Sequence, residues 1–135
     1  DELWSLVGAN SNPLAAGYIQ EMVKTIRGLG GIAITSTQGM QDLFSLDNGK
    51  YGKGILDSSR IKIVMQMEEQ EARLIQNVLN LSEEEVRQIT RFRRGEGLLC
   101  IGYNHVPIAF YATQKEYDAI TTSPTDLLKR KEREA

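Results

Sequence analysis

Three sets of residues have types and positions suited to phosphoryl chemistry. Asp1-Glu2 sets two carboxylates side by side. At the end of a strand, such an aspartate supports a magnesium ion and the glutamate beside it orients an attacking water. Acidic dipeptides are common and terminal residues are usually solvated, so the residues alone favour two solvated acids. Gln38 follows the β-branched run Ile32-Ala33-Ile34-Thr35-Ser36 and Thr37, and the carboxyl end of a buried strand is where open α/β sheets place ligand-contacting groups. An amide there senses a γ-phosphate or holds a water; the plainer alternative is a polar residue opening a loop. Arg27 lies near the end of the preceding helical stretch. It could stabilise charge in a neighbouring subunit's transition state, cap helix carbonyls or be solvated, and the residues alone favour the last two.

Other signals carry less. The segment Gly49 to Gly54 is rich in glycine and lysine, but it lacks the spacing of a phosphate loop and no serine or threonine follows a lysine, so it reads as a turn. His105 is the single histidine, sits at a predicted turn, and has no second soft ligand or nucleophile in view, so no chemistry is assigned to it. Arg91, Arg93 and Arg94 flank Phe92, either as a nucleic-acid contact or as cations at a helix end, and the helix end is favoured. Lys129-Arg130-Lys131 alternates with Glu132, Arg133 and Glu134, the pattern of a solvated, charge-laced helix.

The elements that would hold these residues follow from spacing. Asn12-Pro13 suits an N-cap followed by proline at the first helical position. Leu14, Tyr18, Met22 and Ile26, with Ile19 and Val23, then predict a helix over about 13–28 that Gly28, Gly30 and Gly31 stop. Ile32–Ser36 predicts a strand inside a parallel sheet, Met40–Phe44 a short helix and Asn48–Gly54 a loop. Ile61–Met65 predicts a second strand, followed by a helix over Glu68–Leu79. Ser82-Glu83-Glu84-Glu85 is a capping box with Leu81 and Val86 as its hydrophobic staple. Leu98–Tyr103 and Val106–Ala112 predict an antiparallel hairpin turned at Asn104-His105. Two short helices follow, the second opening at Ser123-Pro124. Strands alternating with helices place the chain in the α/β class, with the hairpin adding antiparallel strands.

Composition sets the bounds. A domain of about 135 residues buries roughly 68% of its unfolded surface, and 41% hydrophobic with 25% charged residues is ordinary for a soluble domain. The net charge of -2 gives no global attraction to nucleic acid or anionic lipid. Cys100 has no partner for an internal disulfide and lies in an apolar run, which fits a buried thiol in a reducing, cytoplasmic setting. No apolar stretch approaches the roughly eighteen residues of a membrane crossing, and the start lacks the regions of a signal peptide. Asp1-Glu2-Leu3-Trp4, without an initiator methionine, reads as the interior of a longer chain.

Taken together and in order, Asp1-Glu2-Leu3-Trp4, Lys24-Thr25-Ile26-Arg27-Gly28-Leu29-Gly30-Gly31 and Ile34-Thr35-Ser36-Thr37-Gln38 resemble the core of conjugative transfer ATPases. The resemblance continues through Leu79-Asn80-Leu81-Ser82-Glu83-Glu84-Glu85 and Gly95-Glu96-Gly97-Leu98-Leu99 to Ile120-Thr121-Thr122-Ser123-Pro124, almost the whole chain. The family is the VirB-four type ATPase of conjugation and type IV secretion, related to conjugative coupling proteins and to the FtsK and HerA translocases.

The resemblance implies a partial RecA-like P-loop NTPase sheet with flanking helices and an antiparallel C-terminal hairpin, residues 1–135 forming the C-terminal part of the ATPase domain. It implies that Asp1 supports Mg2+ through a water, that Glu2 activates the attacking water and that Gln38 contacts the γ-phosphate. Related motors carry an arginine eleven residues before this glutamine, which gives Arg27 the role of a finger acting in trans. ATP and Mg2+ are the implied cofactors of the intact parent. The implied setting is a homo-hexamer at the inner face of the bacterial membrane, among secretion-channel and coupling proteins. One departure stands out: no Gly-x-x-x-x-Gly-Lys-Ser or Thr occurs, so these residues alone are expected neither to bind nor to hydrolyse ATP. The alternatives are a non-catalytic docking or oligomerisation domain, using helix 82–94 and the tail, and a DNA-translocating motor, against which the net charge argues. Unpaired sheet edges are expected to drive self-association of the isolated piece.

Overall fold

Asn12 and Pro13 open the first long helix as their types require. In the computed structural model, which describes residues 3–8 and 10–126, the Asn12 side chain accepts from the Leu14 amide at 2.9 Å. A short helix α1 (Trp4–Val7) precedes it, and α2 (Pro13–Thr25) runs into a 3-10 turn over Ile26–Leu29. Gly30 closes that turn at φ 75, a left-handed conformation with no penalty for glycine. Leu14 and Tyr18, part of the apolar repeat, are exposed, and Ala16 is the buried residue of α2.

Residues 31–37 carry no regular secondary structure, and the expected strand inside a parallel sheet is corrected. The segment joins no ladder, and Ile32 and Ile34 are 87% and 89% exposed. A strand buried on both faces needs neighbours on both edges and layers on both sides, and none of the described strands lies beside this one. Its backbone is instead tied by a bond from the Leu3 amide to the Ser36 carbonyl, 2.8 Å.

Helix α3 (Met40–Leu43) follows, as expected, and a tight 3-10 turn over Leu46–Gly49 carries Asp47, Asn48 and Gly49 at positive φ. These are the residue types that tolerate the left-handed region. The expected glycine-rich loop then proves to be helix α4 (Lys50–Ser58). Its glycines serve packing: a Cβ at Gly52 would run into the Leu43 carbonyl, and one at Gly54 into the Gln20 amide of α2.

Strand β1 (Ile61–Met65) leads to α5 (Glu69–Leu79), α6 (Glu83–Arg91), β2 (Glu96–Ile101), β3 (Asn104–Ala109) and α7 (Gln114–Ile120). Residues 124–126 are helical; the charged tail at 129–134 lies outside the described residues. The three strands form an antiparallel sheet in the order β1-β2-β3, with Val64 opposite Leu98 and Cys100 opposite His105. The hairpin turns at Gly102-Tyr103, two residues before the expected position. Gly102 takes φ 61 there, and Ile101 pairs with Asn104 to close the loop.

Period-two alternation splits the sheet. Val64, Leu98 and Cys100 join Ile75, Leu79, Val86 and Ile89 of the helices in one core that extends to Leu3, Val7, Leu43 and Ile55. The opposite face exposes Ile61, Ile63, Met65, Ile101 and Val106.

Candidate functional site

The site is built around the bend that carries Gln38. Gly31 donates to the Ile26 carbonyl at 3.0 Å, and a Cβ there would press on the Ile26 side chain at 2.7 Å, so a larger residue would require that side chain to shift. The segment after Gly31 then runs to Ser36, whose carbonyl accepts from the Leu3 amide. Leu3 is itself buried in the core. The Thr37 hydroxyl donates to the Gly39 carbonyl at 3.4 Å across the bend, and Gln38 projects at its apex, exposed. Its amide can donate from Nε2 and accept at Oε1, and none of the described side chains claims it.

Helix α3 begins immediately after this bend, and its N-cap residue is Gly39, which has no side chain to satisfy the first amides. The missing acceptor comes from elsewhere in the sequence. Glu71, in the first turn of α5, accepts from the Met40 amide at 3.2 Å. No local pattern announces a cap supplied from 31 residues away, and the sequence reading missed it.

Helix α5 is a firm base for that carboxylate. Ala72 and Ile75 are buried, and Arg73 bonds Glu83 at 2.7 Å and Glu69 at 3.3 Å, while Gln76 donates to Glu83 at 2.8 Å. Bonds from Gln76 and Arg73 hold the Glu83 carboxyl below its ordinary range, and the bonds to Glu83 and Glu69 hold the Arg73 guanidinium above its ordinary value. Helix α6 carries the expected capping box: Glu85 accepts from the Ser82 amide at 2.7 Å, and the Ser82 hydroxyl accepts from the Glu85 amide at 3.3 Å.

His105 does not sit in the turn. It lies in β3 with a side chain only 10% exposed, and its Nδ1 is 2.7 Å from Glu85 Oε1. A carboxylate only accepts, so Nδ1 carries the hydrogen. Partial burial opposes ionisation of Glu85, but the Ser82 amide, the Ser82 hydroxyl and the His105 ring outweigh it and hold the carboxyl below its ordinary value. Cys100 is buried and free, and burial pushes its thiol up. Arg91 ends α6, and the Arg93 amide donates to Glu96 at 2.8 Å; these are the helix-end positions favoured from the sequence.

Of the predicted site residues, Gln38 and Arg27 are described, both exposed, with Arg27 in the 3-10 turn over Ile26–Leu29. Asp1 and Glu2 lie outside the described residues. Among the described residues there is no cluster of three His, Cys, Asp or Glu side chains to hold a metal, and no helix long and apolar enough to cross a membrane. The described residues thus offer an exposed amide at Gln38 and an exposed guanidinium at Arg27.

The fold is a mixed α/β piece with a small antiparallel sheet, and the bend that carries Gln38 lies between the core-anchored Leu3 segment and helix α3. Residues 1–129 match the model of the family described as TraG P-loop domain, and the chain belongs to that family. A solved structure of VirB4 of Thermoanaerobacter pseudethanolicus is similar, at 30% sequence identity and a TM-score of 0.77, over 86% of this chain and 31% of that one. The chain therefore spans about a third of the length of that relative. A comparison with curated proteins found no match.

Proposed function

We propose that this chain is the C-terminal part of the ATPase domain of a motor that energises bacterial conjugation or type IV secretion. The observation that supports it most is the bond from the Leu3 amide to the Ser36 carbonyl. It ties Leu3, which follows Asp1-Glu2 in the sequence, to the segment that leads to Gln38, as a site shared by the two acids and the amide would require. Phosphoryl transfer asks for little else from a protein beyond positioning and charge stabilisation.

In this reading Asp1 supports Mg2+ through a water, Glu2 orients the attacking water, and the Gln38 amide contacts the γ-phosphate of ATP. Arg27 reaches the nucleotide of an adjacent subunit in a homo-hexamer, where its planar donors suit phosphate oxygens. The phosphate loop that retains the nucleotide belongs to the rest of the full-length protein, which works at the cytoplasmic face of the membrane with channel and coupling proteins.

The test is ATP turnover by the full-length protein. Glu2→Gln and Gln38→Ala each lower kcat at least about a hundredfold if they meet the transition state, with nucleotide binding retained. Arg27→Ala subunits mixed with Glu2→Gln subunits recover part of the activity if the arginine acts in trans. Unchanged turnover in all three variants would move the reading to a docking or oligomerisation domain, which the open apolar face of the sheet favours. DNA stimulation with a steep salt dependence would instead indicate a DNA-translocating motor.

A further inference from the structure

The bend that carries Gln38 has two anchors of different kinds. On one side it is held by backbone, Leu3 to Ser36. On the other it runs directly into α3, a helix of one turn whose own N-cap residue, Gly39, contributes no side chain. A single turn of helix is marginal by itself, since nucleation fixes several dihedrals for the first hydrogen bond. Two features keep it in place. Met40 and Leu43 are buried, which holds the body of the turn. The half-buried Glu71 accepts from the Met40 amide, which holds its start.

Glu71 also stands in the first turn of α5, so its carboxylate is placed at the amino ends of two helices at once, where both sets of amides favour a negative charge. Helix α5 is in turn fixed to α6 by Arg73, Gln76 and Glu83. The chain of contacts therefore runs from a rigid helix pair through one carboxylate to the amide two residues beyond Gln38.

We propose that Glu71 is a positioning residue for Gln38: by capping α3 it fixes the 37–39 bend and so the direction of the Gln38 amide. The catalytic consequence rests on the role given to Gln38 above; the anchoring does not. Glu71 itself touches no nucleotide, and the requirement is for an acceptor atom at that place.

The experiment uses the full-length protein with Glu71→Ala, Glu71→Gln, Gln38→Ala and the Glu71→Ala/Gln38→Ala pair, measuring ATP turnover and amide hydrogen exchange over 37–44. Expected for Glu71→Ala is faster exchange in that segment and a kcat about tenfold lower, in line with small misplacements of a catalytic group, with KM changed less than about twofold. Glu71→Gln keeps an acceptor oxygen and restores most of both. The double variant is no slower than Gln38→Ala alone, because a mispositioned amide and a missing one cost the same step. Exchange unchanged in Glu71→Ala would overturn the proposal whatever the turnover, as would losses that multiply in the double variant. Full turnover by Gln38→Ala would overturn the role of Gln38, and the anchoring would then stand or fall on the exchange result.

Discussion

The Leu3 amide donates to the Ser36 carbonyl across 2.8 Å, and Leu3 is 6% exposed. The two facts belong together. Burial of the Leu3 side chain fixes the backbone that reaches Ser36, so the core positions a segment which contributes little to it. Ile32 and Ile34, on that same segment, face solvent.

Truncating Leu3 therefore loosens the site as well as the core. Leu3→Ala removes buried methyl groups and costs about 2–5 kcal/mol, and it speeds exchange of the amides over 32–37. Leu29→Ala, at a side chain 82% exposed, stays within about 0.5 kcal/mol. Denaturant midpoints at matched protein concentration compare the two, and equal midpoints would sink the link between core and segment.

The isolated chain associates with itself. Ile61, Ile63, Met65, Ile101 and Val106 present one apolar face, and among the described residues β1 pairs only with β2, with no strand on its other edge. Exposed apolar faces and open edges are the usual sites of contact between chains. Ile63→Lys, in the middle of that face, shifts the isolated chain toward monomer in sedimentation velocity. A wild-type chain that stays monomeric at high concentration contradicts this.

Glu85 makes stability depend on pH with a definite sign. Its carboxyl is held below its ordinary value in the folded chain, so the stabilisation is fully present above the unfolded-state value. It is lost as pH falls through the depressed folded value. The thermal midpoint of the wild type thus exceeds that of Glu85→Gln near neutrality, and the gap closes in acid. Ser82→Ala costs about 1 kcal/mol at neutral pH through the lost cap. A gap that widens as pH falls would show that the pair with His105 does not favour the carboxylate.

What the sequence made legible was local. Asn12-Pro13 and the Ser82–Glu85 box declared their helix starts because a cap lies within three residues of the amides it serves. The hairpin was visible from its two apolar runs, but its turn was not. Asn104 and His105 look like turn residues, while the conformational demand falls on Gly102 at φ 61 and leaves His105 in a strand against Glu85. The run Ile32–Ser36 was read as buried because its composition describes the neighbours a strand would need, and composition does not say whether those neighbours are present. The position of Gln38 after that run places it at a bend, as a residue opening a loop would be. Glu71 could not be picked out, since the amide it caps is remote in sequence and the pairing exists only once α3 and α5 pack.

The two glycines of α4 separate packing from propensity. Both sit in a helix, where glycine is about 1 kcal/mol worse than alanine, so on propensity alone Gly52→Ala and Gly54→Ala would both stabilise. The surroundings divide them. At Gly52 the new methyl meets the Leu43 carbonyl, a backbone group held by α3, and neither helix can withdraw without opening the core at Leu43 and Ile55. At Gly54 it meets the end of the Gln20 side chain, which is flexible and gives up only a 3.4 Å bond to the Lys50 carbonyl by swinging away. Gly52→Ala is therefore destabilising by about 1–3 kcal/mol, the usual cost of overpacking, and Gly54→Ala falls between neutral and about 1 kcal/mol stabilising. Thermal unfolding of the two variants side by side decides it. Should Gly52→Ala prove as stable as Gly54→Ala, the close approach of α4 to α3 described here is not a feature of the folded chain.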